Sequence, residues 1–384
     1  MSTDAASFDF SLLGRAPDVE AENLQAFDAA DKLLLDTAAE ALSEAGLNSG
    51  VAVIGDSYGA LTLGAAVLHS LHGMRVHQDP YSGELALARN AAELGLQDSY
   101  RNVRLEPNLV SGARVVLLRL PRSLDALEEI ARLLAVHAAP DVRIFAGGRI
   151  KHMTTAMNQV LRRYFGSVSA GLARQKSRVL SVAGPLPADA LPPQRFPLEA
   201  AYDVGLSAPL QLRARGAAFG GASLDPGTRF LLPFLSQARA SGEAVDLGCG
   251  NGAIAAYLAL ARPETRVLAS DQSEAAVAST ELTLAANGVA DRAVVQRADA
   301  LSWLPDASGD LVVLNPPFHI GASVHTGIAF KLFADAARVL RPGGELWTVW
   351  NSHLAYKPAL NRLVGPTKQV GRNPRFTVTV STRR

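Results

Sequence analysis

Two stretches of this sequence have the makings of a reactive site. In the first, Val245-Asp246-Leu247-Gly248-Cys249-Gly250-Asn251-Gly252, an apolar run leads into three glycines at alternate positions. That pattern reads as a buried strand turning tightly into a helix, where backbone can approach a ligand with no Cβ atom in the way. Asp271 follows the next strand-like run, Arg266-Val267-Leu268-Ala269-Ser270. It falls about as far beyond the glycines as a doubly wound sheet needs to set a carboxylate against a ribose, so the first ligand is expected to be a nucleoside. In the second stretch, Asn315-Pro316-Pro317-Phe318 follows the apolar run Asp310-Leu311-Val312-Val313-Leu314. An exocyclic amino group on a base is a poor nucleophile while its lone pair is delocalised into the ring, and two acceptors holding its N–H groups can change that. The Asn315 side-chain oxygen and the Pro316 carbonyl can be those acceptors, the paired prolines stiffen the backbone that carries them, and Phe318 can stack on the base.

Gly248, Gly250 and Ala253 also satisfy the looser G-x-G-x-x-A dinucleotide pattern, so a nicotinamide-dependent oxidoreductase is the rival from another class. Hydride transfer has no use for an Asn-Pro-Pro-aromatic cluster, whereas amine methylation does. Residues 245–384 resemble class I S-adenosylmethionine methyltransferases, and Asn315-Pro316-Pro317-Phe318-His319 resembles the RsmC/RlmG family of ribosomal RNA guanine-N2 methyltransferases. The likeness extends to Asn23-Leu24-Gln25-Ala26-Phe27-Asp28-Ala29-Ala30-Asp31, to Gly147-Gly148-Arg149-Ile150-Lys151-His152 and to Asn351-Ser352-His353-Leu354-Ala355-Tyr356, where the RlmG branch, acting on large-subunit RNA, is nearest. It covers nearly the whole chain.

The resemblance implies S-adenosylmethionine as cofactor and guanine N2 of ribosomal RNA as the methyl acceptor, in the large-subunit (23S) molecule. Gly248, Gly250 and Gly252 would admit the cofactor, with Asp246 bracing the loop, Asp271 on the ribose, and Asp299 on the adenine amino group beside a backbone contact from Ala300. Asn315, Pro316 and Phe318 would be the catalytic residues. Small-subunit (16S) guanine-N2 or adenine-N6 methylation is the alternative within the class, because this device holds any planar amine. A catalytically silent RNA-binding scaffold is the other alternative. His319 could contact the base, while His325 and His353 read as structural or RNA-proximal. No general base is required, since the methylated nitrogen becomes acidic once it carries positive charge. Cys249 reads as a small spacer in the loop.

Bulk properties agree with a globular protein. A length of 384 residues suggests two to three domains, and 48% hydrophobic against 19% charged residues gives ample material for a core. A single cysteine excludes an internal disulfide framework and any cysteine-rich zinc site, so no metal is implied and a reducing cytoplasm is expected. No basic leader and no run of eighteen apolar residues occurs, so neither export nor membrane spanning is expected. Oligomeric state is left open, and a monomer would suffice.

Net charge is only +1, yet the charges are unevenly placed. Residues 1–45 hold ten acidic side chains against Arg15 and Lys32. From Arg143 to Arg178 there is no acidic residue among Arg143, Arg149, Lys151, Arg162, Arg163, Arg174, Lys176 and Arg178, and from Lys331 onward Asp335 and Glu345 oppose ten lysines and arginines. Two such segments read as phosphate-binding surfaces for ribosomal RNA or a ribosomal subunit precursor; solvated helix faces and a basic tail are the plain alternative.

The elements that must position these residues alternate strand and helix twice over. Apolar residues at helical spacing in 23–45 precede the strand Val51-Ala52-Val53-Ile54, the glycine turn Gly55-Asp56-Ser57-Tyr58-Gly59, and further strands over Met74–His77 and Ala113–Leu118. Gly55 to Asp79 nearly repeats the Gly248 to Asp271 spacing. The fold class expected is therefore α/β, two tandem, duplicated, doubly wound Rossmann-like methyltransferase domains. The N-terminal copy is degenerate: Ser57 replaces the middle glycine, and Leu118-Arg119-Leu120-Pro121 stands where the amine acceptors would be. Expected boundaries are a scaffold or RNA-binding domain over 1–184, a linker over 185–218 beginning with Pro185, Pro187, Pro192, Pro193 and Pro197, and a catalytic domain over 219–384. Phe219–Phe230 resembles the family's lead-in segment that covers the cofactor; the plain alternative makes Asp225 simply the N-cap of a helix over 228–240. Further helices are expected over 273–287 and 326–340, the latter stopped by Arg341-Pro342-Gly343-Gly344.

Overall fold

The computed structural model describes residues 7–18, 20–21, 24–45, 50–317 and 325–384. The chain divides into two compact units, one ending at Arg195 and the other beginning at Phe196. The first is built on β1 (Val51–Ile54), β2 (Met74–His77), β3 (Tyr100–Asn102), β4 (Val115–Arg119), β5 (Arg143–Arg149), β6 (Phe165–Ala170) and β7 (Ser177–Pro185). Their order across the sheet is β3-β2-β1-β4-β5-β7-β6, with β7 antiparallel to both of its neighbours. The second opens with a hairpin of β8 (Leu198–Tyr202) and β9 (Leu210–Ala214). Its sheet comprises β10 (Glu243–Leu247), β11 (Arg266–Asp271), β12 (Ala293–Arg297), β13 (Gly309–Leu314), β14 (Leu340–Asn351), β15 (Thr367–Arg372) and β16 (Phe376–Thr382), ordered β12-β11-β10-β13-β14-β16-β15. The two sheets repeat one topology strand for strand, so the duplication inferred from spacing is present in the fold.

Parallel strands covered by helices on both faces must be apolar throughout, and β13 shows how this works. Its Leu311 and Val313 join Ile254, Leu258, Val267 and Trp347 on one face. Val312 and Leu314 join Val245, Leu247, Phe333 and Trp350 on the other. The helix Glu274–Ala286 starts where Ser273 accepts the Ala276 N–H, an N-cap that fixes the chain direction just after β11. Among the described residues no helix is long and apolar enough to cross a membrane.

Several local expectations change. The hairpin lies inside 185–218, the stretch expected as linker, and it belongs to the second unit: Gln211, Arg213 and Arg215 N–H groups donate to Asn287, Thr283 and Ser279 on the helix Glu274–Ala286 and its cap. The helix expected over 228–240 is α-helical only across Pro226–Leu231 and tightens into a 3-10 turn over Leu232–Gln237, because Pro233 has no N–H to continue the ladder. The basic segment of the first unit is partly neutralised within the fold. Arg143 pairs with Glu44, Arg163 with Glu128 and Arg174 with Asp36, so the segment offers fewer charges to RNA than its composition suggests.

Candidate active site of the second unit

Residue pairing brings the two motifs to one edge. Leu247 at the end of β10 lies opposite Ser270 of β11 on one side and Leu314 of β13 on the other. The glycine loop, Asp271 and Asn315 therefore all emerge at the carboxyl ends of adjacent parallel strands, the place where open α/β sheets bind ligands.

Gly248, Gly250 and Gly252 all have positive φ, at 76°, 56° and 79°. At Gly252 a Cβ atom would come within 2.9 Å of the Thr280 Cα, which packs the helix Ala253–Ala261 against Glu274–Ala286. A Cβ at Gly248 or Gly250 would meet nothing within 4 Å, so these two present bare backbone to open space. Such a cradle fits a nucleoside-bearing cofactor lying across the loop. The loop is held from behind: Asp271 accepts the Gly250 N–H at 3.1 Å and the Ser273 N–H at 2.9 Å. Enclosure at the sheet edge pushes the Asp271 carboxyl above the usual range, while those N–H groups pull it back. Asp271 thus shapes the loop as well as standing beside it.

Asp246 is fully buried, accepts the Ala255 N–H at 2.9 Å, and leaves its other oxygen without a partner among the described residues. Burial, and then the charge of Asp271, push its pKa up to about 7. Between about 4 and about 7 the native state holds a proton that the unfolded chain has released, so this group's contribution to stability is lost as pH rises through that window. Asp246→Asn stays neutral and keeps an oxygen for Ala255. In urea unfolding without cofactor, the stability of wild type relative to this variant should fall between pH 5 and pH 8; a constant difference would mean that Asp246 is already ionised at pH 5. Cys249 is buried beside Asp246, receives the Thr280 hydroxyl at 3.2 Å, and has its thiol raised well above normal, chiefly by burial. Burial and a raised thiol fit a small spacer in the loop.

Asp299 lies beyond β12, with both carboxylate oxygens 2.6 Å from Lys331 Nζ. A base amino group meeting Asp299 would share it with that lysine. Ala300 takes φ of 52°, uncommon for a residue with a side chain, and its carbonyl accepts the Ser270 hydroxyl at 2.5 Å.

Asn315 is the most informative residue. Its Nδ2 donates to Asp225 Oδ1 and to Thr228 Oγ1, both at 2.9 Å, and this fixes which way the amide faces. The Asn315 Oδ1 is buried and has no hydrogen-bond partner among the described residues. An acceptor buried in that condition costs about 1–3 kcal/mol unless a donor reaches it, so an N–H arriving there would be favourably received. Pro316 beside it is buried and Pro317 exposed. Phe318 and His319 lie outside the described residues.

Asp225 was legible as an N-cap, and it is one, accepting the Thr228 N–H at 2.9 Å. Its hold on Asn315 was not legible, and neither was that of Asn251, whose Nδ2 donates to the Gly221 and Ser223 carbonyls at 2.9 Å and ties the glycine loop to the segment ahead of the helix Pro226–Leu231. Asp225→Ala should cost about 1 kcal/mol through the lost cap, lowering the melting temperature by roughly 2–4 °C. It should also slow any chemistry at Asn315 about tenfold, the equivalent of 1.4 kcal/mol in a freed amide. Calorimetric melting and single-turnover rates measure the two separately; a stability loss with an unchanged rate would detach Asp225 from the site.

Comparison with known proteins agrees with this division. The Methyltransferase small domain family matches residues 209–380, and the RLMG N-terminal domain family matches residues 1–185. The chain is 35% identical to Ribosomal RNA large subunit methyltransferase G of Streptomyces coelicolor, over 96% of both chains. It is 37% identical to the protein of the same name from Pseudomonas paraeruginosa, over 95% of each. Among solved structures it is similar to the T. Thermophilus 16S rRNA N2 methyltransferase RsmC in complex with AdoMet and guanosine, with a TM-score of 0.68 and 23% identity over 91% of this chain and 92% of that one. At that identity the likeness is one of fold.

Proposed function

The chain belongs to the ribosomal RNA large subunit methyltransferase G family, and from that premise we propose that its second unit transfers a methyl group from S-adenosylmethionine to the N2 amine of a guanine in 23S ribosomal RNA. The observation that carries this reading is the Asn315 Oδ1, aimed by Asp225 and Thr228 and lacking a donor among the described residues. A guanine amine supplies one N–H to it and the other to the Pro316 carbonyl, which draws the nitrogen lone pair out of conjugation and fixes the direction of attack. Phe318 stacks on the base. Gly248 and Gly250 admit the cofactor, Gly252 closes the turn, Asp246 braces it, Asp271 takes the ribose hydroxyls, and Asp299 with Ala300 takes the adenine. The bound cofactor brings a methyl group already activated by sulfonium charge, so the protein's share is positioning and electrostatics.

The first unit carries none of this chemistry and acts as an RNA-binding scaffold. Arg119 stands where the second unit has Asn315, and Gln78 stands where it has Asp271, since Ile54 pairs with His77 and Leu118 as Leu247 pairs with Ser270 and Leu314. Spacing alone sets Asp79 against Asp271; the strand register moves this by one residue.

The test offers methyl-labelled S-adenosylmethionine with protein-free 23S rRNA, protein-free 16S rRNA and assembled subunits in separate reactions. Label entering 23S rRNA, in either form, is expected. Label in 16S rRNA alone, or no transfer to any of them by folded, cofactor-binding protein, would overturn the reading.

A further inference from the structure

The degenerate unit keeps the positioning device of the active unit and changes what it presents. In the second unit the residue after β13, Asn315, donates to Asp225 and Thr228 at the start of the helix Pro226–Leu231. In the first unit the structurally equivalent Arg119 donates to Asp28 at 2.9 Å and Asp31 at 2.8 Å, at the start of the helix Ala29–Ala45. The same two helix-start positions thus hold the same strand-end residue. Where the active unit aims an acceptor oxygen, however, the first unit places a guanidinium. The surroundings changed in the same direction. Arg119 lies in a cavity of about 360 Å³ at the carboxyl ends of β4 and β5 that is also lined by Arg122, Arg149, Lys151 and His152. Four positive charges there face the carboxylates of Asp28 and Asp31, and burial pushes the Asp31 carboxyl up to about 7, so it opposes them only in part. The Arg149 Nε is buried with no partner among the described residues. His152 responds to its setting: slight desolvation and then Arg122, Lys151 and Arg149 lower its pKa.

We propose that this cavity is a phosphoryl-binding site, an amine-binding pocket of the ancestral unit converted into one that presents donors to an anion. A phosphate oxygen accepts from the Arg149 Nε and from the Arg119 guanidinium N–H groups that Asp28 and Asp31 do not take, while Arg122 and Lys151 close over the remaining oxygens from the exposed rim. The source is either the backbone of an RNA strand or a free phosphate-bearing small molecule, and both meet the same chemistry.

Arg122→Gln with Lys151→Gln removes two exposed charges without touching the Arg119 network, so the unit should fold as before. Binding is read without cofactor, as anisotropy of a labelled single-stranded 23S rRNA fragment across a salt series, so a failure of methyl transfer leaves this result standing. The double variant should bind about tenfold more weakly, with a salt slope shallower by up to about 1.4, roughly 0.7 for each lost phosphate contact. In parallel, both proteins are melted in inorganic phosphate or guanosine monophosphate against chloride at matched ionic strength. A weakened RNA slope assigns the site to the RNA backbone. A phosphate-dependent rise in melting temperature seen in wild type and lost in the variant, with RNA binding unchanged, assigns it to a free ligand. Identical behaviour of the two proteins in both measurements overturns the proposal.

Discussion

Asn315→Ala is expected to lower the single-turnover methylation rate on the order of a hundred- to a thousandfold while cofactor affinity stays near that of wild type. The substitution deletes one of two acceptors for the base amine. In a water-poor site one such charge-developing hydrogen bond contributes about 3–4 kcal/mol to the transition state. The fold should tolerate it, because Asp225 keeps its bond to the Thr228 N–H and the glycine loop and Asp271 are untouched. The companion substitution is set by geometry. An aspartate at position 315 would keep an acceptor, but it would put a carboxylate where Nδ2 now sits 2.9 Å from Asp225 Oδ1. Asn315→Asp should therefore be nearly as slow as Asn315→Ala. Near-wild-type transfer by Asn315→Ala would mean that the amine is held elsewhere and that Asn315 merely shapes the turn before the two prolines.

The second large effect is expected at Asp271. Asp271→Ala removes an acceptor for two ribose hydroxyls, at about 1.5–3 kcal/mol each for bonds to a charged group, which predicts at least a hundredfold loss of S-adenosylmethionine affinity. The structure adds a second route to the same loss. Without the carboxylate the Gly250 and Ser273 N–H groups lose their acceptor and the loop loosens. Asp271→Asn separates the routes, because one oxygen can still hold one of those amides while the charge on the ribose side is gone. Calorimetric titration should rank wild type, then Asn, then Ala. Equal affinity in all three folded proteins would remove Asp271 from the cofactor site.

Much of this architecture could be read from sequence because the signals are local. Alternate glycines behind Val245-Asp246-Leu247 mark a strand-to-helix turn wherever they occur, and Ser273 capping the helix Glu274–Ala286 lies within three residues of its partner. The duplicated topology was legible for a related reason, since Gly55 and Gly248 open the same strand, turn and helix sequence. What stayed hidden depends on pairs far apart in the chain. Asp225 and Asn315 meet across 90 positions, and Arg174 reaches Asp36 across 138, so neither the aimed amide nor the partly neutralised basic segment has a local signature. The hairpin was missed on a different ground. Leu210-Gln211-Leu212-Arg213-Ala214 alternates apolar and polar as a half-buried strand should, but it follows a proline cluster that reads as linker. Arg119 looked like the plain absence of an amine acceptor, and the strand register with the Asp28 and Asp31 bonds was needed to set it opposite Asn315.

The most direct measurement is the identity of the methylated nucleoside. Protein-free 23S rRNA is incubated with isotopically methyl-labelled S-adenosylmethionine and the folded enzyme, digested to nucleosides, and analysed by mass spectrometry against authentic standards. The geometry at Asn315 and Pro316 predicts the label on an exocyclic amine and the proposed function places it in N2-methylguanosine, in amounts that fall with Asn315→Ala. Label in a ring-nitrogen or carbon-methylated nucleoside, or in a ribose methyl group, would contradict it, because none of those acceptors presents an exocyclic amine to the Asn315 oxygen.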